Sequence, residues 1–225
     1  MFVTAIIPAY NEESRIADVL KVLSSIERIN QVLVVDDGSE DHTAEVAEGY
    51  FATVIRMPEN GGKASAMCAG VLRATNDIIM FLDADLIGLQ AKHVRELLDP
   101  VLLGKAEMSV GIFSSGRTTT DMAQFVSPQL SGQRVLKKEQ FLRVAQGMED
   151  AGYGIESIIT KYSKKEDWEV AIVEFEGVSH VMKEEKLGFS KGSVARLKMY
   201  LDIIKTVGAG KKVTYKKKND TTFIG

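Results

Sequence analysis

The sequence predicts a three-layer α/β/α fold with a mostly parallel central sheet. Strand-like apolar runs alternate with segments of helical periodicity through the first half of the chain. These runs are continuously hydrophobic rather than alternating, which is typical of strands covered by helices on both faces. The chain has 225 residues, 45% of them hydrophobic. That is enough apolar material for the single domain, residues 1–225, that we expect.

Four strands and three helices account for the first 83 residues. In the first helix, Ile16, Val19, Leu20 and Leu23 recur at helical spacing. The second helix begins like a capped helix with acidic residues in its first turn. The predicted strands span 3–9, 31–37, 53–57 and 77–83, and the predicted helices span 14–25, 39–51 and 62–74.

The second half is less regular, and a polar stretch rich in Gly, Ser and Thr runs from 114 to 133. An amphipathic helix is expected at 191–207 because Val194, Leu197, Leu201 and Ile204 share one helical face. The other predicted helices are 92–104, 137–150 and 154–165, and the other predicted strands are 108–113 and 168–175.

Composition narrows the class of protein. A single cysteine, Cys68, excludes a disulfide framework. No apolar run approaches the roughly 20 residues that span a bilayer, and no basic segment precedes the first apolar run as in a signal peptide. We therefore expect a cytoplasmic protein. Its basic C-terminus, which contains KKVTYKKK, could give peripheral contact with the inner face of a membrane, although such a run is more often a solvated terminus.

Two carboxylates, Asp83 and Asp85, end the most hydrophobic predicted strand. Ligands of open parallel sheets bind beyond the carboxyl ends of the strands, and strand alternation places these two residues on one side. Unpaired, they would repel each other, so a hard divalent cation such as Mg²⁺ or Mn²⁺ is the expected occupant. Taken alone, the pair could equally be two solvated acids at a strand end.

Two further predicted strands end on polar residues. The first ends in PAYNEE, which includes Pro8, Tyr10, Asn11 and Glu12, and the second ends on Asp36 and Asp37. Carboxylates can accept hydrogen bonds from the N–H groups of a nucleobase and from ribose hydroxyls, and amides can both accept and donate such bonds. The three strand ends together therefore suit a nucleotide whose diphosphate meets a metal ion on the third loop.

Four segments in order, IIPAYNEE, VVDDGSEDHT, NGGKASAMCAGVLRA and IIMFLDAD, resemble the nucleotide-sugar domain of family 2 glycosyltransferases. They also resemble glucosyl-3-phosphoglycerate synthases and polyprenyl-phosphate glycosyltransferases of the same GT-A fold. The resemblance implies a nucleotide-sugar half at 1–115 and an acceptor half at 116–225. It further implies nucleoside or diphosphate contacts by Pro8, Tyr10, Asn11, Glu12, Asp36, Gly62, Lys63 and Asp83. Ala64 stands where a second glycine is common, which puts the detailed contact of Lys63 in question.

The resemblance also covers SGQRVLKKEQF and GYGIE in the second half. It implies that Arg134 and Gly154 bind the acceptor and that Glu156 faces the acceptor hydroxyl as a base, with Asp85 also catalytic. Arginine suits bidentate phosphate binding, and a carboxylate can deprotonate a hydroxyl. Structural roles for Arg134 and Glu156, in a salt bridge and at a helix N-terminus, stay open.

By the same resemblance, His180 completes a metal site with Asp83 and Asp85, and Mn²⁺ tolerates such a nitrogen ligand. A lone histidine is otherwise more often a hydrogen-bonded structural residue.

The expected reaction is metal-dependent transfer of a sugar from a UDP- or GDP-sugar to an acceptor. A small anionic acceptor such as 3-phosphoglycerate is favoured, followed by a polyprenyl phosphate at the membrane surface and then by a polysaccharide or protein. Processive synthesis is disfavoured because Gln133 is followed directly by Arg134, without the Q-x-x-R-W pattern. We expect no nucleic-acid partner, and we keep a homodimer open.

Other classes fit less well. A sugar-phosphate nucleotidyltransferase needs a Gly-rich, Arg-bearing loop after the first strand, and a P-loop kinase needs an additional glycine before GGK. A non-catalytic nucleotide-binding module is the remaining alternative.

Overall fold

The computed structural model describes residues 1–114, 131–145 and 155–180, which contain nine strands and six helices. The strands are β1 (Val3–Ala9), β2 (Ile29–Asp36), β3 (Thr53–Arg56), β4 (Ile78–Phe81), β5 (Leu86–Ile87), β6 (Met108–Ser114), β7 (Arg134–Lys137), β8 (Val170–Glu176) and β9 (Ser179–His180). The helices are α1 (Ile16–Leu23), α2 (Thr43–Glu48), α3 (Lys63–Arg73), α4 (Ala91–Leu102), α5 (Lys138–Ala145) and α6 (Ile155–Lys165).

Seven of these strands form one sheet in the order β3-β2-β1-β4-β7-β6-β8. Strands β1 to β4 are parallel to one another, and β6 is parallel to β8. Only β7, within the described residues, runs antiparallel to both of its neighbours. The predicted mostly parallel sheet is therefore confirmed.

Helices cover both faces of the sheet. In β1, Ile7 packs in a cluster with residues of α1 and α4, whereas its neighbour Ile6 packs in a second cluster with residues of α3, α5 and α6. Successive side chains of a strand point to opposite faces, so a strand buried on both sides is continuously apolar. The predicted three layers are confirmed.

Strand β7 was missed by the sequence reasoning, which treated residues 131–141 as a segment at the acceptor entrance. The strand has only four residues and lies between β4 and β6 in the middle of the sheet. Its first residue, Arg134, is paired with Phe81 of β4 and has no exposed surface. A second small sheet, in which β5 pairs with β9, was also not predicted.

His93, which lies in the predicted helix at 92–104, is buried rather than on the surface of that helix. It is 1% exposed, its Nδ1 accepts a hydrogen bond from the Gln90 amide, and its ring stacks on Phe175. It therefore belongs to the core at the start of α4.

The predicted helix at 191–207 and the basic C-terminus lie outside the described residues. Among the described residues, no helix has the length and apolarity needed to cross a membrane.

Candidate active site

The loops that follow β1, β2 and β4 lie side by side at the carboxyl edge of the sheet. Strand β1 pairs in parallel with β2 on one side and with β4 on the other, so all three strands end at the same edge. The structure thus brings the polar ends of these strands to one rim, as the sequence predicted.

The first two loops are held together by hydrogen bonds. The amide of Asn11 donates to Ser39 Oγ, the amide of Glu40 donates to Asn11 Oδ1, and the amide of Glu12 donates to Thr43 Oγ1. Asn11 also has a positive φ of 55°, a conformation that asparagine tolerates better than most residues. The backbone amide and the side-chain Oδ1 of Asn11 are therefore both used to hold the two loops together.

The residues predicted to meet the nucleoside differ in exposure. Tyr10 is 41% exposed, and Pro8 is half-buried at the end of β1. Asp36 is 5% exposed, and its Oδ1 accepts a hydrogen bond from the Ser39 amide. Tyr10 is thus open to a ligand, whereas part of Asp36 already supports the loop after β2.

Asp37 fixes the loop that leads into α3. Its two carboxylate oxygens accept hydrogen bonds from the amides of Gly61 and Gly62, each at 2.8 Å. We expected Gly62 to approach the nucleoside or the diphosphate. Because its amide is already bonded to Asp37, any donor contact of Gly62 must use other atoms.

Lys63, the first residue of α3, links the two halves of the site. Its Nζ lies 2.6 Å from Asp83 Oδ1 after β4, and 2.6 Å from Glu156 Oε1 in the first turn of α6. The three side chains are 33%, 26% and 10% exposed, respectively. We call this group the Lys63 ion triad. It corrects the expectation that only a metal ion balances Asp83, because a lysine of the chain already does so.

Lys63 and Asp83 hold each other in their charged forms. Burial disfavours the charge of Lys63, but the attraction of Asp83 and Glu156 outweighs it, so the pKa of Lys63 lies above its usual value. Burial likewise opposes ionisation of Asp83, but Lys63, Gln133 and the charge of His180 together hold the pKa of Asp83 below its usual range. At neutral pH, Asp83 is therefore a carboxylate beside an ammonium group.

Asp83 is also held from the side of β7. Gln133 Nε2 donates to Asp83 Oδ2 at 2.7 Å, and Gln133 has no exposed surface. A Cβ atom added to Gly132 would lie 2.6 Å from Lys63 Nζ and closer still to Asp83. The backbone at Gly132 therefore packs directly on the Lys63–Asp83 pair, and only glycine fits there.

His180 reaches the same rim through the small sheet. It pairs with Leu86, which directly follows Asp85, and its ring lies 5.4 Å from that of Phe113 between centroids. The approach of β9 to β5 depends on Gly88, because a Cβ atom there would lie 2.5 Å from the carbonyl oxygen of Gly177. The structure thus brings Asp83, Asp85 and His180 to one region.

We tested whether these residues fit a divalent metal ion. Across residues 1–114, 131–145 and 155–180, no group of three or more His, Cys, Asp or Glu side chains is arranged to hold one. Mg²⁺, however, is commonly bound through one or two carboxylates together with substrate phosphates. Both oxygens of Asp83 accept hydrogen bonds, from Lys63 and Gln133, so a metal ion at this rim would need oxygens from a substrate as well.

The predicted acceptor residues lie in different environments. Arg134 donates from Nε to the carbonyl oxygen of Ser131 and from Nη1 to Thr160 Oγ1, and it is fully buried. An enclosed guanidinium does not face a surface where an acceptor phosphate could bind, so the structure contradicts that expectation. Glu156 lies at the rim, paired with Lys63. Gly154 lies outside the described residues.

The contributions of Gly132 and Gln133 to this rim were not predicted. The signal in the sequence was their position just before Arg134 and the short segment VLK. That segment could have been predicted as a strand antiparallel to β4.

Comparison with known proteins identifies the class. Residues 4–144 match the model of glycosyl transferase family 2. This is more than half of the chain and includes the loops after β1, β2 and β4 as well as β7. The chain belongs to glycosyl transferase family 2, and its sheet and helices have the GT-A arrangement of nucleotide-sugar transferases.

Part of the chain also matches a relative in sequence. A 4,4'-diaponeurosporenoate glycosyltransferase of Staphylococcus aureus is 39% identical over 101 residues, which are 43% of this chain and 27% of that protein. The chain therefore spans about a quarter of the length of this relative.

Solved structures show the same fold over most of the chain. Glucosyl-3-phosphoglycerate synthase of Mycobacterium tuberculosis, in complex with Mn²⁺, UDP-glucose and phosphoglyceric acid, superposes with a TM-score of 0.70. It is 23% identical, and the match covers 90% of this chain and 79% of that one. The same enzyme with Mg²⁺ and UDP gives a TM-score of 0.69 at 22% identity, over 90% and 79% of the two chains.

Proposed function

We propose that the chain transfers a glycosyl group from a nucleoside diphosphate sugar to a small anionic acceptor, with a UDP-sugar as the first candidate donor and a GDP-sugar as the second. The observation that carries the proposal is the convergence of Lys63, Asp83 and Glu156 on the carboxyl rim of a family 2 domain. Support for the donor and acceptor comes from the similar fold that was solved with UDP-glucose and phosphoglyceric acid.

The nucleoside would bind over the loops after β1 and β2. Pro8, Tyr10, Asn11, Glu12 and Asp36 line this part of the rim, and Tyr10 offers an exposed aromatic ring. The hydrogen bonds between the two loops fix these residues before a ligand arrives. A preorganised site binds more tightly because less conformational freedom is lost on binding.

Asp85 and His180 would hold Mg²⁺ or Mn²⁺ together with the phosphates of the donor. When bound, the metal ion would offset the negative charge that builds on the departing diphosphate. Asp83 would stay beside Lys63 and keep its ammonium group at the rim, where Lys63 can also attract the diphosphate. Support for the metal comes from the Mn²⁺ and Mg²⁺ in the solved structures of similar fold.

Glu156 is the base for an acceptor hydroxyl in this scheme. The bond between the anomeric carbon and the diphosphate oxygen breaks, a new bond forms to the acceptor oxygen, and the hydroxyl proton passes to Glu156. Lys63 Nζ lies 2.6 Å from Glu156 Oε1 and occupies an oxygen that would take the proton, so Lys63 must turn towards the donor diphosphate before Glu156 can act. The Lys63 ion triad then couples donor binding to activation of the acceptor.

A lipid-borne acid is the second candidate acceptor. Its support is the name of the Staphylococcus aureus relatives, glycosyltransferases of diaponeurosporenoate, which match 43% of this chain. The polyprenyl phosphate considered from the sequence belongs to the same lipid class. A lipid acceptor would place the enzyme at the membrane surface. A non-catalytic nucleotide-binding module would bind the donor but transfer no sugar.

Two measurements on the full chain test the proposal. The first is a thermal-shift screen of UDP-, GDP- and dTDP-sugars with and without Mn²⁺, in which the true donor should raise the melting temperature mainly when metal is present. The second is nucleoside diphosphate release with 3-phosphoglycerate or with a polyprenyl phosphate in detergent. Release that depends on one acceptor supports an enzyme and selects the acceptor class. Donor binding without release for any acceptor would favour the non-catalytic module, and no response to any nucleotide would refute the proposal.

A further inference from the structure

Gln133 is enclosed at the point where β7 meets the rim. It has no exposed surface, and its backbone carbonyl accepts a hydrogen bond from the Gly111 amide of β6 at 2.9 Å. Its Cβ atom packs against Gly111, where an added Cβ would come within 3.1 Å. The backbone and the stem of Gln133 are therefore fixed by the sheet.

The amide group of Gln133 is fixed as well. Its Oε1 lies 2.7 Å from Ser131 Oγ, which also contacts the carbonyl oxygen of Gly111, and its Nε2 lies 2.7 Å from Asp83 Oδ2. A carboxylate can only accept a hydrogen bond, so the nitrogen of the amide must face Asp83. The single hydroxyl proton of Ser131 is shared between the carbonyl oxygen of Gly111 and Gln133 Oε1, so the contact with Asp83 is the one that selects the orientation of the amide.

The register of the sheet explains why this segment reaches Asp83. Phe81 of β4 pairs with Arg134 of β7 in antiparallel fashion. Continuing this register by two residues places Gly132 opposite Asp83, in agreement with the clash that a Cβ on Gly132 would cause. The start of β7 therefore covers Asp83 on the side away from the nucleoside loops.

From these contacts we propose that Gln133 is a positioning residue of the donor site. It holds the carboxylate of Asp83 turned towards Lys63, and through Lys63 it sets the position of Glu156. Gln133 does not touch the donor in this scheme. The inference deepens the proposed function and rests on it for the effect on donor binding, but the effect on Asp83 itself follows from the contacts alone.

The test compares Gln133→Met with Gln140→Met. Both wild-type glutamines are buried, and Gln140 on α5 accepts a hydrogen bond from the amide of Lys137, the last residue of β7, instead of contacting the rim. Methionine keeps the length of the side chain and removes the donor. The first measurement is the ¹³C chemical shift of the Asp83 carboxyl group at pH 7 in the chain without ligand. We expect a changed shift in Gln133→Met, because the hydrogen bond from Nε2 to Oδ2 is lost, and no change in Gln140→Met.

The second measurement is the affinity for a UDP-sugar with Mn²⁺, in wild type, in Gln133→Met and in the same substitution made in an Asp83→Asn background. We expect about tenfold weaker binding for Gln133→Met alone, from the loss of a hydrogen bond to a charged group. In the Asp83→Asn background the further loss should be small, because the residue through which Gln133 acts has already been changed.

The outcomes separate the two proposals. An unchanged chemical shift of the Asp83 carboxyl carbon in folded Gln133→Met, or an equal loss of affinity in both backgrounds, would overturn the positioning role. A changed Asp83 shift in a chain that binds no nucleotide would support the contact and refute the proposed function. If Gln133→Met does not fold, Gln133→Asn, whose shorter amide cannot span the same distance, replaces it with the same expected results.

Discussion

Replacing Lys63 with methionine should cost stability in a way that depends on pH. The substitution removes the ammonium group that lies 2.6 Å from both Asp83 and Glu156, and it leaves two carboxylates facing each other with little access to water. Removing one partner of a buried pair costs about 3–5 kcal/mol. Lys63 is 33% and Asp83 26% exposed, so solvent screening lowers our expectation to about 2–3 kcal/mol at pH 7.

The pH dependence follows from the direction of each pKa shift. In wild type the pKa of Asp83 lies below its usual value, so its contribution is present at neutral pH and is lost as the pH falls through the folded pKa. In Lys63→Met, only Gln133 and His180 still offset burial, and the nearby carboxylate of Glu156 is no longer balanced, so we expect the pKa of Asp83 to rise above its unfolded value of about 3.9. The variant then regains stability as the pH falls. The raised pKa of Lys63 acts only above about pH 10, outside this range.

Urea unfolding of both chains at pH 7 and pH 4.5 measures the difference directly. We expect the gap in free energy of unfolding to shrink by about 1 kcal/mol or more at the lower pH. Lys161→Met, which removes an exposed lysine on α6, is the matched control and should change stability by less than about 0.5 kcal/mol at both values. A gap that is the same at pH 7 and pH 4.5, or one no larger than the control, would refute the Lys63 ion triad.

Three further predictions concern the metal site and its supports. Asp85→Ala should abolish transfer in a chain that still folds, as a cooperative urea transition would show, and full activity in this variant would contradict the metal assignment. Gly88→Ala should lower Mn²⁺ affinity in the presence of UDP, measured by electron paramagnetic resonance, because a Cβ there meets the carbonyl of Gly177 and pushes β9 away from β5; Gly49→Ala at the end of α2 is the control. Asp37→Ala should cost about 2–3 kcal/mol, since the amides of Gly61 and Gly62 lose their shared acceptor, and unchanged hydrogen exchange at these amides would argue against this.

The sequence was sufficient for the parts of the fold that rest on local pattern. The four apolar residues predicted for the first helix are all buried in α1, and strand β1 has the predicted bounds. Continuous apolar runs also predicted the parallel strands, and hence the edge of the sheet at which their carboxyl ends meet. These features depend on burial and periodicity, which a single sequence carries.

Features that depend on pairing across the chain were not predictable in the same way. Lys63 and Glu156 are separated by 93 positions and meet only because α3 and α6 pack on the same face of the sheet. Arginine is usually found on the surface of a protein, but the register of β7 with β4 places Arg134 in the interior. No local pattern distinguishes an arginine that binds a ligand from one that bonds to Thr160.

Donor binding is the claim on which the other proposals depend, and titration calorimetry tests it most directly. A UDP-sugar should be titrated into the full chain with Mn²⁺, with EDTA, and with Mn²⁺ in the Asp85→Ala variant. We predict saturable binding of one donor per chain with Mn²⁺ and at least about tenfold weaker binding in the other two titrations. Equal affinity in all three titrations, or no heat for UDP- and GDP-sugars alike, would contradict a metal-assisted nucleotide-sugar site at the carboxyl rim.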